Sequence, residues 1–513
     1  MELAVAEPDA CRFHALEELD LRLPFWRYYA AVRDQPFSFL LDSAKDPGKL
    51  GRYSFLGADP FLVYRAKRQA GKPPGAGADV EIVRRRSPDG TVLRPPAVSR
   101  RTADAFEELR RLLAAYRVAY EEYRDHPVPF LSGAVGYFGY EAGYFIEALP
   151  DVGADDLGLP DICLFFVDSL LAHCHQTGRS YLSVVGRGAS DQAARGEALR
   201  VGNEWRRRLE AFESDPVPDG TARAAQPASP AAEPGVRAQF DEARYCEAVR
   251  AVKEHIFAGD AYEVCLTHRL EAPLPGDAWS LYEELRRVNP APFASFLNLP
   301  EVQVVSSSPE RFLRLGPDRT AETRPIKGTR PRGQTPQQDE KLYRELFSSV
   351  KDRAENVMIV DLVRNDLGRI SKFGTVHVPE LMVIEKYATV FQMVSTVRGE
   401  LDELVDGIDL IKACFPGGSM TGAPKIEAMK IIDRLEPVKR GIYSGSIGYL
   451  DFCGALDLNI VIRTFVVKDS CCYFNVGGAI VADSVPRSEY AETMDKARAL
   501  IQALRNLKGA RAS

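Results

Sequence analysis

Two hydrophobic periodicities alternate along the chain. Between residues 105 and 120, large apolar side chains recur at the spacing of one helix face, as at Phe106, Leu109 and Leu112. The same pattern predicts further helices over residues 199–212, 241–257, 279–288, 341–366 and 486–507. Short apolar runs with glycine, proline or polar residues at their ends predict strands at 36–43, 51–57, 302–306, 311–315, 458–467 and 473–481. The chain therefore combines helices and strands.

Two stretches lack either pattern. Residues 67–79 are rich in lysine, glycine, proline and alanine, which predicts a mobile loop. Residues 214–237 contain repeated proline, alanine, aspartate and glycine, with too little apolar surface to offset the entropy of ordering. We therefore predict a flexible linker at 214–237, between an N-terminal region at 1–213 and a C-terminal region at 238–513.

Composition limits the classes of function. The 513 residues are 45% hydrophobic and 27% charged, as in ordinary globular proteins, and a net charge of −6 argues against a broad nucleic-acid surface. No apolar run reaches the ~18–20 residues of a membrane helix. Acids stand near the N-terminus where a signal peptide would carry bases, so we expect a cytoplasmic protein. Nine scattered cysteines without a CxxC pair argue against disulfides and structural zinc.

One lysine has an unusual local setting. Lys327 stands two residues after Pro325 and directly before Gly328, in the basic stretch 323–333. Proline fixes one backbone torsion, and glycine permits a tight turn and the close approach of another molecule. A lysine nucleophile must lose its proton, so burial or a neighbouring cation would have to lower its pKa from about 10.4. A lone lysine of this kind would be assigned to a solvated loop, but other features favour a site.

Four acids occur as two pairs with equal spacing. Asp352 and Glu355 are three residues apart on one predicted helix, and Glu489 and Glu492 are three apart on another. Residues at this spacing share a helix face, and carboxylates with water and an anionic substrate are suitable ligands for Mg²⁺. Spacing alone favours two solvated helix faces over a magnesium site.

Glycine-rich turns and an arginine provide groups that bind anions. The turn at 416–425 precedes a predicted helix, and Gly477, Gly478 and Ala479 end a predicted strand; exposed amides in such places bind anions. Arg463 lies in an apolar strand, where it either forms a structural ion pair or clamps a carboxylate. The residues alone favour the structural pair. Together these groups indicate an enzyme that acts on a small polyanion.

These stretches together resemble the chorismate-utilising enzymes. The resemblance covers nearly the whole chain, is strongest after residue 237, and rests on seven motifs: LLDS at 40–43, GRYSF at 51–55, SSPERF at 307–312, PIKGT at 325–329, DLVRNDLGR at 361–369, the glycine-rich turn at 416–425, and DS at 483–484. It implies an α+β fold, with two orthogonally packed, mainly antiparallel sheets in a sandwich and helices outside.

The resemblance also implies an activity. In this family, lysine at the position of Lys327 marks enzymes that aminate chorismate at C4, and alanine marks the anthranilate synthases. The lysine would attack C2 as the C4 hydroxyl leaves, and ammonia would then add at C4 and expel the lysine. The product would be 4-amino-4-deoxychorismate, the precursor of p-aminobenzoate and folate. Glu310 would be the general acid and base at the C4 oxygen.

The resemblance assigns further residues to binding. Mg²⁺ would be bound directly by Glu355 and Glu492, with Asp352 and Glu489 behind them. Chorismate would be held by the remaining matched positions, namely Gly328, Thr329, Ser419, Thr421, Tyr443, Arg463, Gly477, Gly478, Ala479 and Lys496.

Some positions depart from the anthranilate pattern. Gln392 stands where the relatives with lyase activity have a histidine, and glutamine cannot transfer protons near neutrality, so we expect no pyruvate elimination. The pocket that holds feedback tryptophan in relatives corresponds to Ser43, Pro290, Ala291 and Phe293. Because Ala291 and Phe293 replace polar positions, we expect this pocket to be vestigial.

The ammonia source is expected to be a second protein. A glutaminase needs a nucleophilic cysteine in a glycine-rich elbow with a partner histidine, and none of the nine cysteines has that setting. A separate glutaminase subunit is therefore implied. The alternatives are an anthranilate synthase component I and a non-catalytic paralogue that only binds such a subunit. The intact acid pairs and Lys327 argue against the non-catalytic alternative.

Overall fold

The computed structural model describes residues 11–46, 48–75, 77–87, 90–119, 126–215, 235–387 and 390–512. The strands of the first half are β1 (Cys11–Leu19), β2 (Ser38–Asp42), β3 (Tyr53–Gly57), β4 (Leu62–Arg68), β5 (Ala78–Arg86), β6 (Val92–Ala103), β7 (Gly133–Phe138), β8 (Ile162–Val167), β9 (Ser169–Cys174), β10 (Arg179–Gly188) and β11 (Arg237–Ala238). Those that follow are β12 (Glu263–Pro273), β13 (Phe293–Asn298), β14 (Gln303–Ser308), β15 (Arg311–Leu315), β16 (Thr320–Thr323), β17 (Ile326–Pro331), β18 (His377–Lys386), β19 (Val390–Glu400), β20 (Gly422–Ala423), β21 (Ser446–Asp451), β22 (Leu456–Asn459), β23 (Thr464–Lys468) and β24 (Cys471–Ile480).

The described strands form two large sheets. The first has the order β1-β10-β9-β3-β2-β13-β14-β23-β24-β12-β11, with β20 also on β12. The second has the order β17-β19-β16-β15-β22-β21-β7-β8-β4-β5-β6, with β18 also on β19. Neighbouring strands run antiparallel, as in the pairing of β12 with β24 and of β17 with β19. The predicted α+β class with two antiparallel sheets is confirmed.

Both predicted regions contribute to each sheet. In the first sheet β2 pairs with β13, and in the second sheet β7 pairs with β21. Most of the linker predicted at 214–237 lies outside the described residues, and the division at this point stays a prediction.

The described residues form nine α-helices, and side-chain caps begin most of them. They are α1 (Ala105–Ala115), α2 (Asp191–Ser214), α3 (Glu242–Ala258), α4 (Ala278–Val288), α5 (Pro336–Ser348), α6 (Val350–Gly368), α7 (Gly407–Cys414), α8 (Lys425–Leu435) and α9 (Pro486–Ala512). Asp104, Asp241 and Asp277 accept a hydrogen bond from a backbone amide in the first turn of α1, α3 and α4, which satisfies a donor that has no partner within the helix.

Three predicted element boundaries are wrong. The helix predicted at 341–366 is two helices separated at Ser349, whose hydroxyl accepts from the amide of Asp352 and begins α6. The loop predicted at 67–79 is shorter at both ends, since β4 continues to Arg68 and β5 begins at Ala78. The strand predicted at 458–467 is interrupted between β22 and β23, where Arg463 has a φ of 53°. Local hydroxyl and turn chemistry decides these boundaries, which apolar periodicity does not report.

The two sheets share one hydrophobic core, and helices cover the outer face of the first sheet. Phe39 of β2 and Phe165 of β8 meet between the sheets, with ring centroids 5.7 Å apart. Trp205 of α2, Trp279 of α4 and Leu504 of α9 belong to a second cluster with residues of the first sheet. In the described part of the chain, no helix has the length and apolar character needed to cross a membrane.

Replacing a core leucine should measure how strongly the shared core stabilises the fold. Leu297 of β13 is fully buried, so Leu297→Ala should lower the free energy of unfolding by about 2–5 kcal/mol, through lost burial and the cavity left behind. The matched control is Leu404→Ala, because Leu404 is 94% exposed and should change stability by less than about 0.5 kcal/mol. Urea denaturation followed by circular dichroism measures both, and equal effects would contradict the packing described.

Candidate active site

Lys327 is presented by an irregularity in a strand. The register of β17 on β19 shifts between Ile326 and Thr329, so Lys327 and Gly328 form a bulge, a feature that redirects a side chain. Lys327 Nζ is buried and donates a 2.7 Å hydrogen bond to Glu263 Oε1 at the start of β12. The prediction of a solvated basic loop for an isolated lysine does not apply, because this lysine faces the interior.

The charge state of Lys327 differs from the expectation. Burial by itself lowers the pKa of Lys327, but the carboxylate of Glu263 and then that of Glu355 outweigh burial and raise the pKa above its ordinary range. Lys327 is therefore an ammonium ion in this state of the protein. A nucleophilic role requires that a neighbouring group take its proton.

Gly328 is required by its surroundings. Its φ is 88°, and a Cβ at this position would lie 2.8 Å from Leu346 Cδ1 and 3.0 Å from Asp352 Cγ. Only glycine tolerates both the left-handed backbone and this close approach. The next residue, Thr329, lies directly opposite Gln392 on β19.

Glu310 is a buried acid beside Lys327. It lies between β14 and β15, and Ser419 Oγ donates a 2.9 Å hydrogen bond to its Oε1. Burial raises the pKa of Glu310 to about 7, an effect that the hydrogen bonds from Ser419 and the amide of Ile326 and the charge of Lys327 oppose only in part. A carboxyl group with a pKa near the working pH can both donate and accept a proton.

The glycine-rich turn lies against the strand that carries Glu263. Thr421 O accepts a hydrogen bond from the amide of Cys265, and Gly422 and Ala423 pair with Val264 and Glu263. Thr421 is fully buried, and its hydroxyl bonds back to carbonyls of its own turn. The turn thus connects Ser419, and through it Glu310, with the Lys327–Glu263 pair.

The glycines of β24 approach the last helix closely. Gly477, Gly478 and Ala479 lie opposite β12 at the end of β24, which finishes at Ile480, so their predicted place at a strand end is confirmed. Lys496 Nζ of α9 donates to Gly477 O and to Glu492 Oε1, at 2.8 Å in each case. A Cβ on Gly478 would lie 3.3 Å from Glu489 Oε2 and 3.7 Å from Glu492 Oε1.

Three of the four predicted metal ligands, Glu355, Glu489 and Glu492, come together beside Gly478 and Lys351. Lys351 Nζ lies 3.8 Å from Glu355 Oε1 and 4.0 Å from Glu489 Oε1, and Glu492 shares the neighbourhood of Gly478 with Glu489. The fourth, Asp352, is bound instead by Arg330, with 2.8 Å between Nη2 and Oδ2.

The donor set fits a divalent cation. As the side chains stand, no three His, Cys, Asp or Glu residues of the described ranges are arranged to hold a metal ion. However, Glu355 Oε1 is buried and accepts no hydrogen bond from any described residue, and burial raises the pKa of Glu355. A buried carboxylate oxygen without a donor is costly, and a cation beside Glu355, Glu489 and Glu492 would satisfy it.

Arg463 has no carboxylate partner within the described residues. Its Nη1 donates to Lys496 O at 3.0 Å, and no acid there lies within ion-pair distance of it. Burial lowers the pKa of Arg463, an effect that nearby Tyr443, itself buried, only partly opposes. Of the two alternatives for this arginine, the structure favours the one that leaves it free to clamp an incoming carboxylate.

The predicted tryptophan pocket is only partly assembled. Ser43 and Phe293 line a cavity of about 310 Å³, but Pro290 and Ala291 do not belong to its lining. Ser43 Oγ donates its proton to Tyr53 O at 2.6 Å, so this hydroxyl does not donate to a ligand.

Two groups near the site carry no motif in the sequence. Glu263 begins an apolar strand, and its only signal is an ionisable residue in such a strand, as at Arg463. Arg440 and Glu436 form a buried pair, with 2.6 Å between Arg440 Nη2 and Glu436 Oε1. These two residues are four positions apart in a charged segment, and nothing in that pattern indicates that the pair is buried.

Comparison with known proteins decides the family. Residues 60–502 match the family described as chorismate binding enzyme. The chain is a chorismate-binding enzyme. The family assignment confirms the resemblance drawn from the motifs.

Relatives with two different named activities have similar sequence identity to this chain. An aminodeoxychorismate synthase of Streptomyces pristinaespiralis is 42% identical over 490 residues and 93% of this chain, which spans 63% of that relative's length. Aminodeoxychorismate synthase component 1 of Salmonella typhimurium is 37% identical, covering 93% of this chain and 95% of its own. Anthranilate synthase component 1 of Thermus thermophilus is 38% identical, covering 94% and 96%. Overall similarity therefore does not choose between the two activities.

A solved structure supports the same fold. Anthranilate synthase component I from Streptococcus pneumoniae superimposes with a TM-score of 0.71 at 26% identity, covering 88% of this chain and 92% of that one. The chorismate-binding enzyme fold predicted from the motifs is confirmed.

The raised pKa of Glu310 should make stability depend on pH. Because the folded state binds this proton more tightly than the unfolded state, the contribution of Glu310 to stability is lost as pH rises from about 4.5 to about 7. Relative to the wild type, Glu310→Gln should therefore gain about 2 kcal/mol of unfolding free energy between pH 5 and pH 8. Urea denaturation at both pH values measures this gain. Glu340→Gln, at an exposed position on α5, should show none, and a pH-independent effect of Glu310→Gln would contradict the shift.

Free tryptophan should inhibit the enzyme weakly or not at all. Phe293 adds an apolar ring to the cavity, and Ala291 lies outside its lining. Isothermal titration calorimetry with tryptophan should show no saturable binding at micromolar concentrations. A sharp micromolar inhibition curve would show that the pocket still regulates the enzyme.

Proposed function

We propose that this enzyme aminates chorismate at C4 to form 4-amino-4-deoxychorismate, on the route to p-aminobenzoate and folate. The observation that carries the proposal is the position of Lys327, buried beside Glu310 and redirected inward by the bulge in β17. In the family, alanine stands at this position in the anthranilate synthases, so this side chain separates the two activities.

Binding uses a cation that has no carboxylate partner among the described residues. Chorismate is a dianion, and Arg463 is a buried guanidinium that no carboxylate of the described residues neutralises. Backbone amides of the turn at 416–425 and of β24 would bind the substrate carboxylates. Gly328 and Thr329 would hold the substrate from β17, although Leu346 and Asp352 already fill the space beside Gly328 Cα.

The chemistry follows from the two titratable groups. Lys327, once deprotonated, attacks C2, both ring double bonds shift, and the C4–O bond breaks. Glu310, with a pKa of about 7, protonates the departing hydroxyl so that it leaves as water. Ammonia then bonds to C4, the C2–N bond breaks, and its electron pair returns to Lys327. Glu310 accepts the proton that the new C4 ammonium releases.

Magnesium belongs to the same proposal. Glu355 and Glu492 would bind it directly, with Glu489 and Asp352 behind them, and the buried oxygen of Glu355 without a donor supports this assignment. When bound, the ion would screen the charge of the substrate carboxylate. Without it, Lys351 and Lys496 offset the charge of these acids.

The enzyme would depend on a glutaminase subunit for ammonia. The relatives named as component 1 support a partner subunit. We assign the glutaminase role to that partner and place both proteins in the cytoplasm. The chain by itself should then use ammonium but not glutamine.

Product analysis with Lys327→Ala tests the proposal. With chorismate, ammonium and magnesium, the wild type should form a 4-amino product that added aminodeoxychorismate lyase converts to p-aminobenzoate. Lys327→Ala should lose this product by roughly three orders of magnitude, because it lacks the nucleophile. Chromatography with mass spectrometry measures both. Lys341→Ala, an exposed lysine on α5, is the matched control, and a wild-type rate of C4 product from Lys327→Ala would refute the covalent role.

The same variant tests the anthranilate alternative. Without Lys327, residual amination should shift to C2 and stop before pyruvate release, because Gln392 cannot transfer the proton. Gln392 lies opposite Thr329, next to the bulge, so Lys327→Ala combined with Gln392→His should begin to form fluorescent anthranilate. Wild-type enzyme that forms anthranilate directly would favour the alternative.

Removing one predicted magnesium ligand should weaken metal binding. Glu492→Gln removes a charge at nearly constant volume and should weaken Mg²⁺ binding by roughly 10–100-fold. Isothermal titration calorimetry in the absence of chorismate measures this directly. The matched control is Asp495→Asn on the same helix. The Asp495 side chain is exposed to solvent, so this variant should bind Mg²⁺ as the wild type does. Unchanged affinity in Glu492→Gln would remove Glu492 from the site.

A further inference from the structure

A carboxylate that the proposed chemistry has not used lies directly against the nucleophile. Glu263 is completely buried, and its Oε1 accepts the 2.7 Å hydrogen bond from Lys327 Nζ. Its second oxygen, Oε2, is buried and has no hydrogen-bond partner among the described residues. A buried carboxylate with an unsatisfied oxygen is costly, so a fold that only needed to neutralise a lysine would be expected to satisfy both oxygens.

We propose that Glu263 is both the resting counter-ion and the proton acceptor of Lys327. In the resting site it holds the lysine as an ammonium ion, and when chorismate is bound it takes the proton that the lysine must lose. This inference rests on the proposed function, because it gives Lys327 the nucleophilic role described above.

The other groups around Lys327 are less suited to accept the proton. The titratable groups that act on it from the surrounding elements are Glu263 and Cys265 on β12, Glu355 on α6, Glu310 before β15 and Glu492 on α9. Glu263 is the only acid of the described chain within ion-pair distance of Lys327 Nζ. Glu310 must begin as an acid to protonate the leaving hydroxyl, and Glu355 and Glu492 are assigned to magnesium. Burial raises the pKa of Cys265, which keeps that thiol protonated.

The backbone keeps Glu263 in place for this role. Glu263 pairs with Ala423 of β20, and a Cβ on Gly422 would lie 2.1 Å from Glu263 O, so the glycine-rich turn packs directly on this residue. Loss of charge at Lys327 therefore need not move the carboxylate. The distance of 2.7 Å is that of a charge-assisted hydrogen bond, along which a proton can pass without solvent.

The proton balance of the cycle closes with this assignment. Before attack, Lys327-NH₃⁺ and Glu263-COO⁻ become Lys327-NH₂ and Glu263-COOH. The amine bonds to C2 while Glu310 gives its proton to the departing C4 hydroxyl. Ammonia then expels Lys327 as a neutral amine, and Glu263-COOH returns the stored proton to it. The C4 ammonium group gives one proton to Glu310, and both acids recover their starting states.

The assignment predicts a distinctive pH dependence. In the wild type, lysine deprotonation is internal to the pair, so the rate of adduct formation should be flat on the acidic side and fall above pH about 7 as Glu310 ionises. In Glu263→Gln the proton must leave to solvent. The acidic limb should then rise about tenfold per pH unit up to the pKa of Lys327 in that variant or to about pH 7, whichever is lower, because Glu310 ionises above that pH.

The experiment follows adduct formation at different pH values. Wild-type and Glu263→Gln enzymes are mixed with chorismate and magnesium without ammonia, quenched, and analysed by intact-mass spectrometry between pH 5 and pH 9. We expect a flat acidic limb for the wild type, and for the variant a sloping limb and a rate at pH 6 at least tenfold lower. Glu271→Gln makes the same change further along β12 and should leave the wild-type profile unchanged. Equal profiles for the wild type and Glu263→Gln would overturn the assignment.

Two further results separate this inference from the proposed function. A wild-type enzyme that forms neither the adduct nor 4-amino product would refute the proposed function itself. A wild-type adduct with an unchanged acidic limb in Glu263→Gln would refute only the role of Glu263. If Glu263→Gln does not fold, Glu263→Asp replaces it. The shorter carboxylate should slow adduct formation at every pH and keep the flat limb, and a wild-type rate in Glu263→Asp would also overturn the assignment.

Discussion

The arrangement of the site depends on one buried arginine. Arg440 binds Glu436 through two nitrogens, at 2.8 and 2.6 Å, and its remaining donors reach the carbonyl oxygens of Met420 and Cys265, both at 2.7 Å. Glu141, from the N-terminal region, accepts the backbone amide of Arg440. The planar guanidinium thus joins the glycine-rich turn to β12, and the backbone amide of the same residue joins both to the N-terminal region. Because these groups are deeply buried, loss of one partner would leave an unpaired charge inside the protein.

Much of the architecture could be predicted because apolar periodicity reports burial. The helical face that includes Phe106 and Leu109 folds as α1, and the short apolar runs fold as strands of two sheets. The details that failed depend on single polar contacts. Ser349 divides a predicted helix because its hydroxyl caps a new one, and Arg463 interrupts a predicted strand in a left-handed conformation. Periodicity contains no information about either contact.

The candidate site, like the fold, could be predicted from the sequence only in part. Lys327 and Glu310 were identified from motifs and do come together, but the ionisation of Lys327 depends on Glu263, which lies 64 residues earlier in the chain. Pair interactions across the fold set these pKa values, so no local sequence rule provides them. Within the described residues, Arg463 lacks a carboxylate partner and Glu355 Oε1 accepts no hydrogen bond, and neither fact is visible in the sequence.

The sharing of each sheet between the two ends of the chain has a consequence for biosynthesis. β7 pairs with β21, which lies about 300 residues later in the chain, and a similar interval separates β2 from its partner β13. At roughly 5–20 residues per second, a ribosome would leave the edge of β7 without its partner for a good part of a minute. Apolar strands with open edges aggregate readily. The nascent chain should therefore be a substrate for chaperones until its last third has emerged, and a fragment that ends near residue 215 should be insoluble when expressed by itself.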